Sequence, residues 1–195
     1  MEDVSAFVVA GGKSSRMGQD KALLKLAGRT LLERILKLAG GVSREVRVVG
    51  NTAKFAAFAP VIEDVFRDQG PLAGIHAALR STSTDLNLVL AVDLPFLDAD
   101  FLRYLIAQAR ATTALVTVPR AGGAWQTLCA VYRRAFAEYA EESLRQGKNK
   151  IDPLFARVQT KVIEESELLQ HGFSPGLFRN LNTPEEFRQA EKQYQ

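Results

Sequence analysis

The sequence holds one cysteine, Cys129, and two histidines, His76 and His171. A lone thiol excludes an intramolecular disulfide and a multi-cysteine zinc site, and two histidines so far apart exclude an HExxH zinc helix. No apolar run approaches the ~18 residues that a membrane span requires; runs such as residues 6–10 and 88–92 have the length of buried strands. The first residues lack the basic start and long apolar run of a signal peptide, with Glu2 and Asp3 leading straight into strand-like sequence. The expectation is a protein of the reducing cytoplasm with no membrane partner. A strong excess of either charge is also missing. The net charge of +3 does not call for nucleic acid, and it suits a site for small anionic ligands.

What is present is an ordinary globular composition. With 195 residues, 47% hydrophobic and 24% charged, the chain can bury a sizeable core and is expected to form one domain. Apolar strand-like stretches at 4–10, 45–49, 61–62 and 86–92 alternate with helical patterns at 30–39, 71–80 and 98–109. Further strands are predicted at 114–118, 127–132 and 161–163, and further helices at 136–145, 151–157 and 184–194. Pro71 after Gly70 suits a first helical turn, and Asp98 suits an N-cap. The alternation is that of an α/β protein with a doubly wound sheet. No repeat or low-complexity segment interrupts it. The turn-like 120–125 stretch is the one candidate for a subdomain boundary.

The first strand runs into Val9, Ala10, Gly11, Gly12, Lys13, Ser14, Ser15, Arg16, Met17, Gly18, Gln19, Asp20 and Lys21. Ligands of open parallel sheets bind beyond the carboxyl ends of the strands. Glycines let backbone N–H groups approach a phosphate, and Lys13, Arg16 and Lys21 add cationic donors. The spacing fits neither the Walker A loop nor the GxGxxG dinucleotide fingerprint. A second candidate stands after the 86–92 strand, in Asp93, Leu94, Pro95 and Phe96. A carboxylate beside a triphosphate is favourable when a hard cation lies between them; the bland alternative is a turn before Pro95. Asn51 and Asp64 each follow a strand and should open onto the same rim, as ligands of a nucleoside or as helix caps.

The first string resembles the GGxSxRMGxDK signature of the molybdenum cofactor guanylyltransferases, matching every fixed position from Gly11 to Lys21 with Val9 for the usual leucine. Gln69-Gly70-Pro71-Leu72-Ala73-Gly74, Asp93-Leu94-Pro95 and Asn180-Leu181-Asn182-Thr183-Pro184-Glu185 are similar to further motifs of that family, and the resemblance spans nearly the whole chain. It implies a Rossmann-like, mostly parallel sheet of the nucleotide-diphospho-sugar transferase type, with a nucleotide half over about 1–110 and an acceptor half over about 111–195. It implies transfer of GMP from GTP to the phosphate of molybdopterin, with release of pyrophosphate. By the same resemblance, Val9, Ala10, Gly11, Gly12, Lys21, Asn51, Asp64, Asp93 and Asn182 contact nucleotide or acceptor. Arg16, Lys21 and Asp93 carry the chemistry, and Asp93 holds Mg2+. Molybdoenzymes or cofactor-delivery proteins are further partners that it allows. The alternatives on such a fold are a cytidylyltransferase, a sugar-phosphate nucleotidylyltransferase, or a non-catalytic adaptor that delivers molybdopterin.

Two departures fall in the acceptor half. Lys148 and Lys150 stand where the family tends to carry arginines, and Gln126-Thr127-Leu128 stands where it often has a proline before the leucine. His76 and Cys129 read as packed, inert side chains. Trp125 reads as packing on its own protein, or as a platform for a flat ring. Thr183 and Glu186 read as a capping box around Pro184.

Overall fold

The structure, a computed structural model, describes residues 3–11, 20–66, 68–181 and 183–193. Its centre is a sheet in the order β10-β7-β9-β6-β1-β4-β5, with a short β8 paired to β7. The strands are β1 (Val4–Val9), β4 (Glu45–Val49), β5 (Val61–Ile62), β6 (Leu86–Ala91), β7 (Val116–Ala121), β8 (Ala124–Trp125), β9 (Cys129–Arg133) and β10 (Thr160–Ile163). β1 pairs in parallel with both β4 and β6, and β4 with β5. β9 runs antiparallel to both β6 and β7, while β10 lies parallel to β7. The sheet is therefore mostly parallel, as the alternation of elements predicts.

Every residue of β1 and β6 is buried. The pleat explains why a continuous apolar run is needed here. Ala6, Val8, Leu88 and Leu90 face α1 (Leu31–Gly40) and α4 (Ala99–Arg110), whereas Phe7, Val9 and Val89 face α3 (Pro71–Arg80) and α5 (Phe136–Arg145). With helices on both faces, period-two alternation disappears.

The helix boundaries follow from local chemistry. Thr30 and Glu33 form a capping box before α1, each side chain accepting from the other residue's backbone N–H. Asp98 accepts from Phe101 N at 2.7 Å and starts α4. Gly70 precedes α3 at φ +73°, a conformation that favours glycine, and Pro71 opens the helix. A Cβ at Gly74 would stand 3.3 Å from the Val9 side chain, so this glycine lets α3 lie close against β1.

The structure contains short elements that the periodicity does not reveal. β2 (Lys25–Leu26) and β3 (Arg29–Thr30) form a hairpin around Ala27 and Gly28, both at positive φ. The Arg34 guanidinium reaches back from α1 to the Leu26 carbonyl and pins that hairpin. α2 (Thr52–Phe55) follows β4, and α7 (Glu165–Gln170) follows β10. The predicted 151–157 helix shrinks to α6 (Asp152–Phe155), and the predicted 114–118 strand is displaced to Val116–Ala121. The 120–125 stretch forms the turn between β7 and β8, with Arg120 opposite Trp125. α8 (Pro184–Gln193) packs Phe187 and Ala190, together with Leu181, against Leu26 and Leu31.

Candidate active site

From β1 the chain winds outward to β4 and β5, then crosses back to place β6 on the other side of β1. The carboxyl ends of these four strands share one edge, and the winding reverses beside β1, where open α/β sheets bind ligands. The backbone is tightly laced there. Ala10 N donates to Val49 O at 2.9 Å, Gly50 N to Ile62 O at 2.9 Å, and Val92 N to Val9 O at 3.2 Å. These bonds hold the residues just beyond β1, β4 and β6 side by side at the end of β5. Val9, Ala10, Gly11, Asn51, Asp64 and Asp93 all come to this edge because all four strands point the same way.

Across it, Lys21 Nζ donates to Asp93 Oδ2 at 2.7 Å, with side chains only 13% and 21% exposed. The two residues, 72 positions apart, join the end of the first loop to the loop after β6. Asp20 caps the short 3-10 turn Lys21–Leu23 by accepting from Ala22 N, and also pairs with Lys54 Nζ at 2.7 Å. Lys54 is 54% exposed, so that second pair contributes less than about 1 kcal/mol. It nevertheless ties the first loop to α2, a contact that no local sequence signal announces. Gly12, Arg16 and Asn182 lie outside the described residues.

On the far side of β1, Gly50, Asn51, Glu63, Asp64 and Asp68 line a cavity of about 340 Å3. Asn51 Oδ1 accepts from Lys54 N at 3.2 Å and so caps α2, the helix-cap reading of that residue. Glu63 accepts from Thr52 N. Asp64 is different. Its Oδ1 is buried without a hydrogen-bond partner, and burial pushes its carboxyl above the usual range. A buried acceptor left unmatched costs about 1–3 kcal/mol, so Asp64 is poised for a donor that no described residue supplies. Gln69 Oε1, in the loop before α3, is likewise buried and unmatched; the sequence pattern gave no sign of this.

Other candidates resolve into packing. His76 is buried, its ring 5.2 Å from that of Phe66, with Nε2 3.4 Å from Glu141. Burial holds its pKa down, so the neutral ring donates Nε2–H to a carboxylate that Arg145, Arg80 and His76 together pull to about 2. Cys129 is fully buried and its thiol is pushed far up by burial, which leaves it inert. Trp125 packs edge-on against Phe155 at 5.1 Å, beneath the Arg120 guanidinium at 5.4 Å. Thr183 N donates to Glu186 and Glu186 N to Thr183, which completes the predicted capping box.

β9 brings the second half of the chain to the same edge. Because it runs against β6, Leu128, the residue just before it, accepts from Ala91 N at 2.7 Å, two residues before Asp93. α5 then leaves from the opposite edge and runs back along α3. Glu138 lines a cavity with Arg80, at the end of α3, while Glu141 reaches His76 in its middle. The turn that follows α5 carries Lys148 and Lys150 into a cavity of about 400 Å3.

Among the described residues, no group of three His, Cys, Asp or Glu side chains is placed to hold a metal. A single carboxylate such as Asp93 can still suit Mg2+, which takes few protein ligands and fills its shell with water and substrate oxygens. Among the described residues, no helix is long and apolar enough to cross a membrane.

Comparison with known proteins agrees with this geometry. Residues 6–162 match the family model of the MobA-like NTP transferase domain. A relative from Carboxydothermus hydrogenoformans, named a probable molybdenum cofactor guanylyltransferase, is 34% identical over 98% of this chain and 97% of its own. The crystal structure of molybdopterin-guanine dinucleotide biosynthesis protein A from Archaeoglobus fulgidus superposes with a TM-score of 0.84 at 26% identity, covering 97% of this chain and 98% of that one. A 4-diphosphocytidyl-2C-methyl-D-erythritol synthase from Anaerococcus prevotii shares the fold, with a TM-score of 0.70 at 15% identity over 99% of this chain and 96% of that one. The chain is a nucleotidyltransferase and belongs to the MobA-like NTP transferase family.

Proposed function

We propose that the protein transfers GMP from GTP to the phosphate of molybdopterin, giving the guanine dinucleotide cofactor and pyrophosphate. The observation that carries this reading is the Lys21–Asp93 pair at the reversal of the sheet. A cation and a carboxylate held 2.7 Å apart beside a glycine-bearing loop can receive a triphosphate together with its counter-ion. Residues 1–195 would act as one domain, with nucleotide bound by about 1–110 and acceptor by about 111–195.

The reaction needs little beyond placement. An oxygen of the acceptor phosphate attacks the α-phosphorus of GTP, a new P–O bond forms, and the bond to the bridging oxygen of the β-phosphate breaks as pyrophosphate leaves. The attacking phosphate monoester has a second pKa near about 6, so it is already largely a dianion at neutral pH. No general base is required. Catalysis then rests on alignment and on neutralising charge. The N–H groups at Gly11 and Gly12 and the side chains of Arg16 and Lys21 would grip the phosphates. Asp93 would hold Mg2+, which when bound offsets phosphate charge and polarises the α-phosphate. Asp64 would accept from the nucleoside, either from the N1–H and exocyclic amine of guanine or from the ribose. Asn51 would border the same nucleoside while capping α2, and Asn182 would face the acceptor.

Lys148 and Lys150 would supply cationic charge for the acceptor. As point charges they lack arginine's two-pronged grip on a phosphate.

The test is a turnover panel of GTP, CTP and UTP with and without molybdopterin, read as pyrophosphate release. Release is expected with GTP and acceptor together. Equal or greater release with CTP or UTP would assign a different nucleotide, and GTP binding without release would assign a non-catalytic adaptor.

A further inference from the structure

Two side-chain oxygens at the nucleotide rim are buried without a hydrogen-bond donor, Asp64 Oδ1 and Gln69 Oε1. They stand at the two ends of one loop. Asp64 follows β5 by two residues, and Gln69 precedes Pro71, the first residue of α3, by two. The loop is fixed along its length. Ile62, where it leaves β5, accepts from Gly50 N at 2.9 Å. Phe66, in its middle, packs edge-on against His76 of α3 with ring centroids 5.2 Å apart. Asp68 at φ +61° and Gly70 at φ +73° turn the backbone on either side of Gln69; the left-handed region is uncommon for a residue with a Cβ. Asp64 and Asp68 both line the cavity of about 340 Å3, so Gln69 is the chain neighbour of one of its walls.

The accounting of polar groups says what such a loop is built for. An unmatched buried acceptor costs about 1–3 kcal/mol. Neither oxygen has a hydrogen bond to lose, so turning either side chain toward a donor on a ligand breaks no bond at that atom and removes this cost. Two acceptors call for two neighbouring donors. Among the common nucleobases guanine carries such a pair on one edge, the N1–H and the exocyclic amine. The amine of cytosine adjoins the acceptor N3, that of adenine adjoins the acceptor N1, and the N3–H of uracil lies between two carbonyls. Each of these would set an acceptor against one of the two oxygens.

We propose that Gln69 is a specificity-determining residue, its Oε1 accepting from the exocyclic amine of guanine while Asp64 accepts from the neighbouring N1–H. This assignment rests on the guanylyl transfer proposed above, and it commits Asp64 to the base rather than to the ribose. The experiment is a binding titration of the full chain, with Mg2+, against GTP, CTP and inosine triphosphate, which is GTP without the exocyclic amine. The wild type is expected to bind inosine triphosphate about tenfold more weakly than GTP, because a site built to pair with a donor rejects the analogue that lacks it. Gln69→Met is close in volume but has no acceptor oxygen. It is expected to weaken GTP alone and bring the ratio below about threefold. Gln69→Glu keeps an acceptor and is expected to keep the preference for GTP. Thermal melts separate base reading from folding. Removing an unmatched buried oxygen should leave the free Gln69→Met protein at least as stable as the wild type.

The inference is overturned, with guanylyl transfer left standing, if the wild type binds GTP and inosine triphosphate equally or if Gln69→Met keeps the wild-type ratio. It is also overturned if Gln69→Met melts lower and weakens both purine nucleotides alike, which would give Gln69 to the fold. Tighter binding of CTP than of either purine nucleotide overturns the guanylyl reading itself, and this inference with it.

Discussion

The two ends of the sheet are built on different rules. At one end β6, β1, β4 and β5 run in parallel, so every loop that follows a strand is delivered to the same edge. Val9, Asn51, Asp64 and Asp93 meet there although they are scattered over the first half of the sequence. At the other end β9 runs against both neighbours. That reversal delivers the segment before a strand, Gln126 to Leu128, to the edge, and returns the turn after α5 to it. Parallel strands assemble one substrate's loops by repetition, whereas the reversed strand adds a second set of loops from a different part of the chain. If the proposed division between nucleotide and acceptor holds, specificity for the two substrates can change independently.

Substitutions can break or sharpen this contrast. The largest effect is expected for Asp93→Ala, which should lower turnover by roughly 10²-fold, comparable to the loss of one preorganised electrostatic group. The measurement is steady-state pyrophosphate release at saturating Mg2+, and turnover at the wild-type rate would remove Asp93 from the chemistry. Asp64→Asn comes next. It should weaken GTP binding by about tenfold, the worth of a hydrogen bond to a charged group, yet stabilise the free protein at neutral pH. The sign follows from linkage. A carboxyl whose folded pKa is raised above its unfolded value of 3.8 gives its stabilising contribution at acid pH and loses it as pH rises through the folded value. The amide never ionises, so the two melting curves should converge near pH 3 and separate by pH 7; a variant less stable than wild type at pH 7 would show that Asp64 serves the fold.

On the other side of the comparison, Lys150→Gln should raise the KM for acceptor severalfold and leave GTP affinity unchanged. An equal loss of GTP binding would merge the two ends into one site. The smallest effect belongs to Thr183→Ala. Loss of this N-cap should cost about 1 kcal/mol of stability, visible as a lower melting temperature with both substrate affinities retained.

The contrast also explains what the sequence disclosed. The parallel end was legible because burial on both faces demands unbroken apolar runs, and because the residues at the switch form contiguous motifs. α1 and α4 announced their starts through Thr30 and Asp98. The site was legible in part. Asp93 and Lys21 could each be singled out, but their pairing depends on the register of β1 against β6, which no local pattern encodes. Asp64 was a candidate by position and by the family resemblance; the unmatched Oδ1 that distinguishes it from the helix-capping Asn51 is a product of packing. Lys54 matters through its pairing with Asp20 and Gln69 through an oxygen buried without a partner, and both arise only on folding. At the other end, α7 carries a single buried residue, Leu168, too little to impose helical periodicity. The β2–β3 hairpin turns on Ala27, a residue that rarely signals positive φ.

Leu181, Phe187 and Ala190, among the last residues of the sequence, share a small apolar cluster with Leu26 and Leu31, just beyond the signature loop, and Phe96 packs against it. The hairpin that leaves the nucleotide loop is thus finished only when the tail arrives. During synthesis the hairpin would wait for this much later segment to emerge, and a protease cut just before Leu181 would be felt at Leu26 and Leu31, far away along the chain.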